Sequence, residues 1–219
     1  MSLVAPLHFN TVQVNLYRGS APREINIPFL RRLRLSCILS LTPEPLDETM
    51  TAFCNENSIR MKHIMCNEKP PKDKSKKVKR KKKPVPIEYD VVVQCVEFLV
   101  DKRNYPIYMH CNNGELITSL IVACLRKFSY WSTVSILNEF LIYNSSINVH
   151  ERNFIEQFNL EVDIQGLKPE DKVTWVPGQF IKKTKTKGKK KKDSANGDVI
   201  TTVSSSVPNV LPKLKFHSV

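Results

Sequence analysis

The stretch from Pro106 to Lys127 constrains this chain more than any other. Four residues, PIYM, form a short apolar run that ends on His110-Cys111. Asn112, Asn113, Gly114 and Glu115 follow, and then a strongly apolar segment, TSLIVACLRK, runs from Thr118 to Lys127. The spacing predicts a buried strand, a loop from His110 to Ile117, and a helix beginning at Thr118. That order is an anion-binding layout, because the loop N–H groups and the positive end of the helix converge on one point. A cysteine at the base of such a loop has a lowered pKa and acts as a thiolate nucleophile near neutral pH.

The rest of the chain supplies a sheet for this unit. Asn15 to Gly19 reads as a short strand. Pro28 to Arg34 reads as a helix that starts on proline, where the missing N–H costs nothing. CILSL, Cys37 to Leu41, is a continuous apolar run, as in a strand buried on both faces. Thr42-Pro43-Glu44-Pro45 stops it, since proline cannot donate to a ladder. Asp47 to Asn57 reads as a helix and Arg60 to Ile64 as a strand. Ile87 to Lys102 reads as a helix with Val92, Val93, Val96 and Leu99 at helical spacing. Ser132 caps another helix reaching Tyr143, and a last one covers His150 to Phe158. Strands alternating with helices give an α/β class with a mostly parallel central sheet flanked by helices.

Charge divides the chain sharply. The formal net charge is +13. Yet Lys69 to Lys83 holds ten Lys/Arg and one Asp, and Lys182 to Lys192 holds eight Lys and no acid. The folded body is therefore mildly acidic, and the positive charge lies in two tethered runs that repel themselves and stay solvated. The expected organisation is an N-terminal lead-in over 1–9, a domain over 10–160 with a Lys-rich loop insertion at 67–86, and a mostly disordered Lys-rich tail over 161–219. Near the end of that tail, Leu211 to Phe216 (LPKLKF) reads as a frayed end or a docking peptide. The lysine runs have three readings: solubilising segments, a nuclear address or nucleic-acid contact, and capture of a polyanion. Nucleic acid is disfavoured because the runs lack interleaved aromatic residues for stacking.

No apolar run is long enough to span a bilayer, and the first residues lack a signal-peptide pattern, so a cytoplasmic protein is expected. Six cysteines without a C-x-x-C pair read as reduced, buried thiols rather than a disulfide frame or a zinc site. No metal and no cofactor is expected. A disulfide between Cys66 and Cys111 under oxidation is a weaker idea.

Several stretches together carry a resemblance: Tyr17-Arg18-Gly19-Ser20 with Pro22, Leu41-Thr42-Pro43-Glu44-Pro45, His110-Cys111-Asn112 with Gly114, Cys124-Leu125-Arg126-Lys127, and Trp131-Ser132. The chain resembles the plant-and-fungal atypical dual-specificity phosphatases, in the fungal branch named for oxidant-induced cell-cycle arrest. The resemblance implies a cysteine-phosphatase fold of the dual-specificity type. It also implies a substrate class of phosphotyrosine or inositol pyrophosphates, and a hetero-complex with sister proteins of the same branch.

The family's working loop is His-Cys, five residues, then arginine. Here Cys111 matches the phosphocysteine nucleophile and His110 orients the loop. Asn112, Asn113, Gly114, Glu115, Leu116, Ile117 and Thr118 complete the phosphate loop. The arginine position is Ile117, and the family's Lys-His pair is Glu115-Leu116. The lost arginine grips phosphate with a bidentate fork and stabilises charge in transfer. Removing one such donor costs about 10²–10³ in rate. Arg126 lies two helical turns onward, too far to substitute. The general acid would come from the segment between Ile64 and Pro86, where Glu68 and Asp73 are the acids available. The expectation is therefore a degenerate phosphatase: a pseudophosphatase scaffold or regulator. The alternatives are a working enzyme that borrows a cation, and a polyanion-binding module.

Overall fold

The computed structural model describes residues 3–66, 85–158 and 167–176. Five strands form one sheet in the order β1-β2-β5-β3-β4. β1 (Asn10–Gln13) and β2 (Leu16–Ser20) make an antiparallel hairpin, turned through Asn15 in the left-handed region. β2, β5 (Ile107–Cys111), β3 (Cys37–Ser40) and β4 (Arg60–His63) run parallel. The mostly parallel sheet expected from the alternating elements is present. β1 is an addition, and its short run NTVQ gives little apolar alternation to read.

Strand period sorts the core into two layers. Cys37 and Leu39 of β3, with Ile107, Met109 and Cys111 of β5, face one layer. Ile38 and Tyr108 face the other. The first layer is covered by α3 (Tyr89–Val100), α4 (Leu116–Phe128), α5 (Thr133–Tyr143) and α6 (Val149–Gln157). The second packs under α1 (Ile27–Arg32) and α2 (Glu48–Glu56), through Leu30, Met50 and Phe53. Helix starts follow the expected chemistry. Asp47 caps α2 by accepting from the Met50 N–H at 2.7 Å, and Ser132 caps α5 through the Ser135 N–H at 3.2 Å. Asn148 and Glu151 close a capping box at α6. α4 is buried nearly all round, which explains why its sequence lacks a polar face.

Two expected boundaries move. Residues 167–176 belong to the folded body, not to a disordered tail. Val173 N–H donates to the Val100 carbonyl at 3.0 Å, and Val173 and Val176 are buried in the larger core layer. Arg103 joins Asp101 to Asp171 across this return. The apolar residues here are few and set among lysines and acids, so their pattern is faint in the sequence. The lead-in is likewise built in: Phe9 stacks on Tyr17 and meets Phe29 edge-on at 4.8 Å. Most of the Lys-rich insertion, with Glu68 and Asp73, and the segment from Lys182 to Phe216 lie outside the described residues.

Fully burying a valine contributes about 1.5–3 kcal/mol. A chain ending after residue 160 is therefore expected to unfold in urea with about 3 kcal/mol less stability than one ending after 177. Equal midpoints would show that the return contributes nothing.

Candidate active site

The loop opens later, and closes earlier into the helix, than its sequence suggests. His110 and Cys111 are the last two residues of β5, paired with Gly19 and Ser20 of β2. The helix starts at Leu116, so Leu116, Ile117 and Thr118 form the first turn of α4 rather than loop. Only Asn112 to Glu115 connect the two. Such a tight turn needs backbone at close quarters. Gly114 has φ +77°, and a Cβ there would sit 2.6–2.8 Å from the backbone of Gly19 and Ser20. Glycine is the residue that fits. Gly19 is required as well, since its Cβ would collide with the Tyr108 hydroxyl. The Asn112 carbonyl accepts the Ala21 N–H at 3.1 Å, which fastens the loop to the chain leaving β2.

His110 lies buried with Nε2 2.9 Å from the Ser40 hydroxyl on β3. Burial pushes its imidazole down to about 4; the Cys111 backbone opposes this and His63 adds to it. Such a neutral, strand-held ring takes no proton near neutral pH. Cys111 is fully buried, and its thiol donates to Asn113 Oδ1 at 3.5 Å. All six cysteines are free, buried thiols. Burial, with Cys111 nearby, raises Cys66 to about 11, so that thiol is held protonated.

The remaining loop residues turn inward on each other. Asn113 Oδ1 also accepts the Glu115 N–H at 3.0 Å, and Asn113 Nδ2 donates to the Glu115 carboxylate at 2.7 Å. His8 reaches in from the N-terminal segment, 2.9 Å from the Asn113 carbonyl and 3.8 Å from Glu115. Ile117 is 1% exposed and packs in the larger core layer. Thr118 is also buried in this turn, and Leu116 half-buried beside it.

Two arginines among the described residues are buried, one away from the loop and one beneath it. Arg126 makes a two-pronged pair with Glu139 at 2.7 and 2.9 Å, donates to the Val12 carbonyl at 2.8 Å and lies over Trp131. It ties α4 to α5 and β1, well outside the loop. Arg18 lies under the loop. Its Nη2 donates to the Gly114 carbonyl at 3.0 Å and to Ser119 Oγ at 2.7 Å, with the guanidinium 3.5 Å from the Tyr143 ring. Burial lowers its pKa to about 10, against opposing effects of Tyr143, Glu139 and Cys111, so it stays charged. The sequence reading gave Arg18 no role. Its signal was the Arg-Gly-Ser string at a strand end. Beside the loop, a cavity of about 360 Å³ is lined by Ala21, Thr42, Glu44, Asp47, His110 and Asn112.

This strand–loop–helix unit, with a cysteine at the strand end, agrees with the comparisons. The sequence pattern described as tyrosine phosphatase family matches residues 3–177. The chain belongs to that family. It is 64% identical, over 100% of both chains, to the Saccharomyces cerevisiae protein named "Putative tyrosine-protein phosphatase OCA6". It is 34% identical to an Arabidopsis thaliana protein named inositol diphosphatase DSP3, over 72% of this chain and 73% of that one. Among solved structures, the core catalytic domain of the S. cerevisiae PP-IP phosphatase SIW14, in complex with citrate, is 28% identical with a TM-score of 0.60. That likeness covers 72% of this chain and 89% of the other. The dual-specificity type of cysteine-phosphatase fold is thereby established for this family member. No helix among the described residues is long and apolar enough to cross a membrane.

The buried imidazole makes a pH-dependent contribution to stability. The folded state holds His110 neutral down to about 4, whereas its ordinary value is 6.5. The unfolded chain therefore takes the proton first as pH falls. Stability from this source is intact above the ordinary value and drains away down to the folded one, about 3 kcal/mol in all. His110→Asn is expected to lose less stability than the unsubstituted chain between neutral pH and mild acid in urea titrations; equal losses would refute this.

Proposed function

We propose that this chain is a phosphatase-fold scaffold or regulator without efficient turnover. The observation that carries the proposal is the burial of Ile117 at the position where the family's loop has arginine. Phosphoryl transfer depends on donors aimed at the developing charge, and an aliphatic side chain packed in the core offers none. Arg18 and Arg126 do not make up the loss: Arg18 Nη2 is held beneath the loop by Gly114 and Ser119, and Arg126 is held away from it by Glu139 and Val12. Glu115 adds a carboxylate to a loop whose task in a phosphatase is to receive an anion. The relatives' names point to phosphotyrosine or an inositol pyrophosphate as the ligand class.

A regulator acts through contact, and the hetero-complex with sister proteins of the same branch forms part of this proposal. α5 supports it. Val134, Leu141 and Ile142 are exposed on that helix, and its single charged residue, Glu139, is paired with Arg126. An exposed apolar face of this kind fits a protein partner. Leu141→Glu is expected to weaken co-elution with a sister chain, and undiminished co-elution overturns that part.

The catalytic half is tested with the purified full chain, on a phosphotyrosyl peptide and on an inositol pyrophosphate. Phosphate release is expected to match that of Cys111→Ser, and to fall at least about 10²–10³ below an arginine-bearing family member assayed alongside. Turnover that Cys111→Ser abolishes overturns the proposal.

A further inference from the structure

We propose that the Asn113 side chain is an internal ligand of the phosphate loop, occupying the place of an oxyanion oxygen, so that the loop binds phosphate only when this side chain is displaced. The inference rests on the reading of the loop as a phosphatase loop that does not turn over, and it concerns the state of that same site.

An oxyanion held by such a loop accepts backbone N–H bonds and lies against the cysteine sulfur. Here one oxygen does both. Asn113 Oδ1 accepts the Glu115 N–H at 3.0 Å and the Cys111 thiol at 3.5 Å. The carboxamide thus serves as a neutral, covalently tethered stand-in for the anion. Its other end is clasped too. Nδ2 donates to Glu115 at 2.7 Å, and His8 holds both partners, the carbonyl of Asn113 at 2.9 Å and the carboxylate of Glu115 at 3.8 Å. The clasp therefore spans the loop, the first residue before α4 and the N-terminal segment. The full burial of Cys111 accords with a sulfur covered from the loop side.

A tethered ligand competes at high effective concentration. Apparent affinity for an external anion then falls by the fraction of molecules with the loop free. Asn113 makes three hydrogen bonds in the clasp, and Asn113→Ala removes them without emptying a core site, since the residue is exposed.

The experiment measures inorganic phosphate binding by calorimetry, and iodoacetamide alkylation of Cys111 by peptide mapping, in the full chain and in Asn113→Ala. Both are expected to rise about tenfold or more in the variant, the scale of losing one or two net hydrogen bonds. Glu115→Ala, which loosens the clasp from its other end, is expected to shift both in the same direction by less. Unchanged binding and alkylation in both variants overturns the proposal, as does phosphate binding by the unsubstituted chain equal to that of Asn113→Ala. Alkylation that rises equally at the core thiols Cys95 and Cys124 reports loss of fold and counts against it. Hydrolysis of a phosphotyrosyl peptide by Asn113→Ala, lost when Cys111→Ser is added, would leave the internal ligand standing and overturn the reading of a loop without turnover.

Discussion

The buried guanidinium of Arg18 is the interaction on which the rest of the site depends. It stands on β2, bonds the Gly114 carbonyl of the loop and the Ser119 hydroxyl of α4, and lies against Tyr143 of α5. Four elements therefore meet on one charge. A buried cation is costly unless its hydrogen bonds and its surroundings compensate it. Here the compensating groups are a backbone carbonyl, a hydroxyl and an aromatic face. These fix the loop's shape from beneath, independently of anything that happens at its mouth.

That arrangement separates two demands that one sequence string has to meet. Gly114 answers to the backbone of Gly19 and Ser20, and His110 answers to Ser40. Both are needed for β5 to end and α4 to begin where they do. Ile117 answers instead to the apolar core, and Glu115 to Asn113. On the proposed reading, the fold of a phosphatase and its phosphate chemistry are therefore held by different residues.

The same separation explains what the sequence made legible. Continuous apolar runs such as CILSL and the PIYM strand announced the central strands, because burial on both faces leaves no alternation to confuse. Ser132 announced its helix by capping chemistry. The edge strand β1 escaped notice because half of it is solvated, and the return at Leu167 to Val176 because its two buried valines lie among polar residues. At the site, the missing arginine was visible by counting from Cys111. The partners of Arg18 were not, since a side chain's hydrogen bonds to groups about a hundred residues away leave no mark on local spacing.

Burial of Ile117 bears on what an arginine at that position would meet. An arginine restored at that position by a single codon change would arrive in a turn already settled around its own carboxamide and carboxylate. It would need those neighbours to change with it before it could serve a substrate. Each intermediate would bear the disruption of a packed core without any gain in turnover. On the proposed reading, packing at Ile117 thus makes regained turnover a matter of several coordinated changes rather than one.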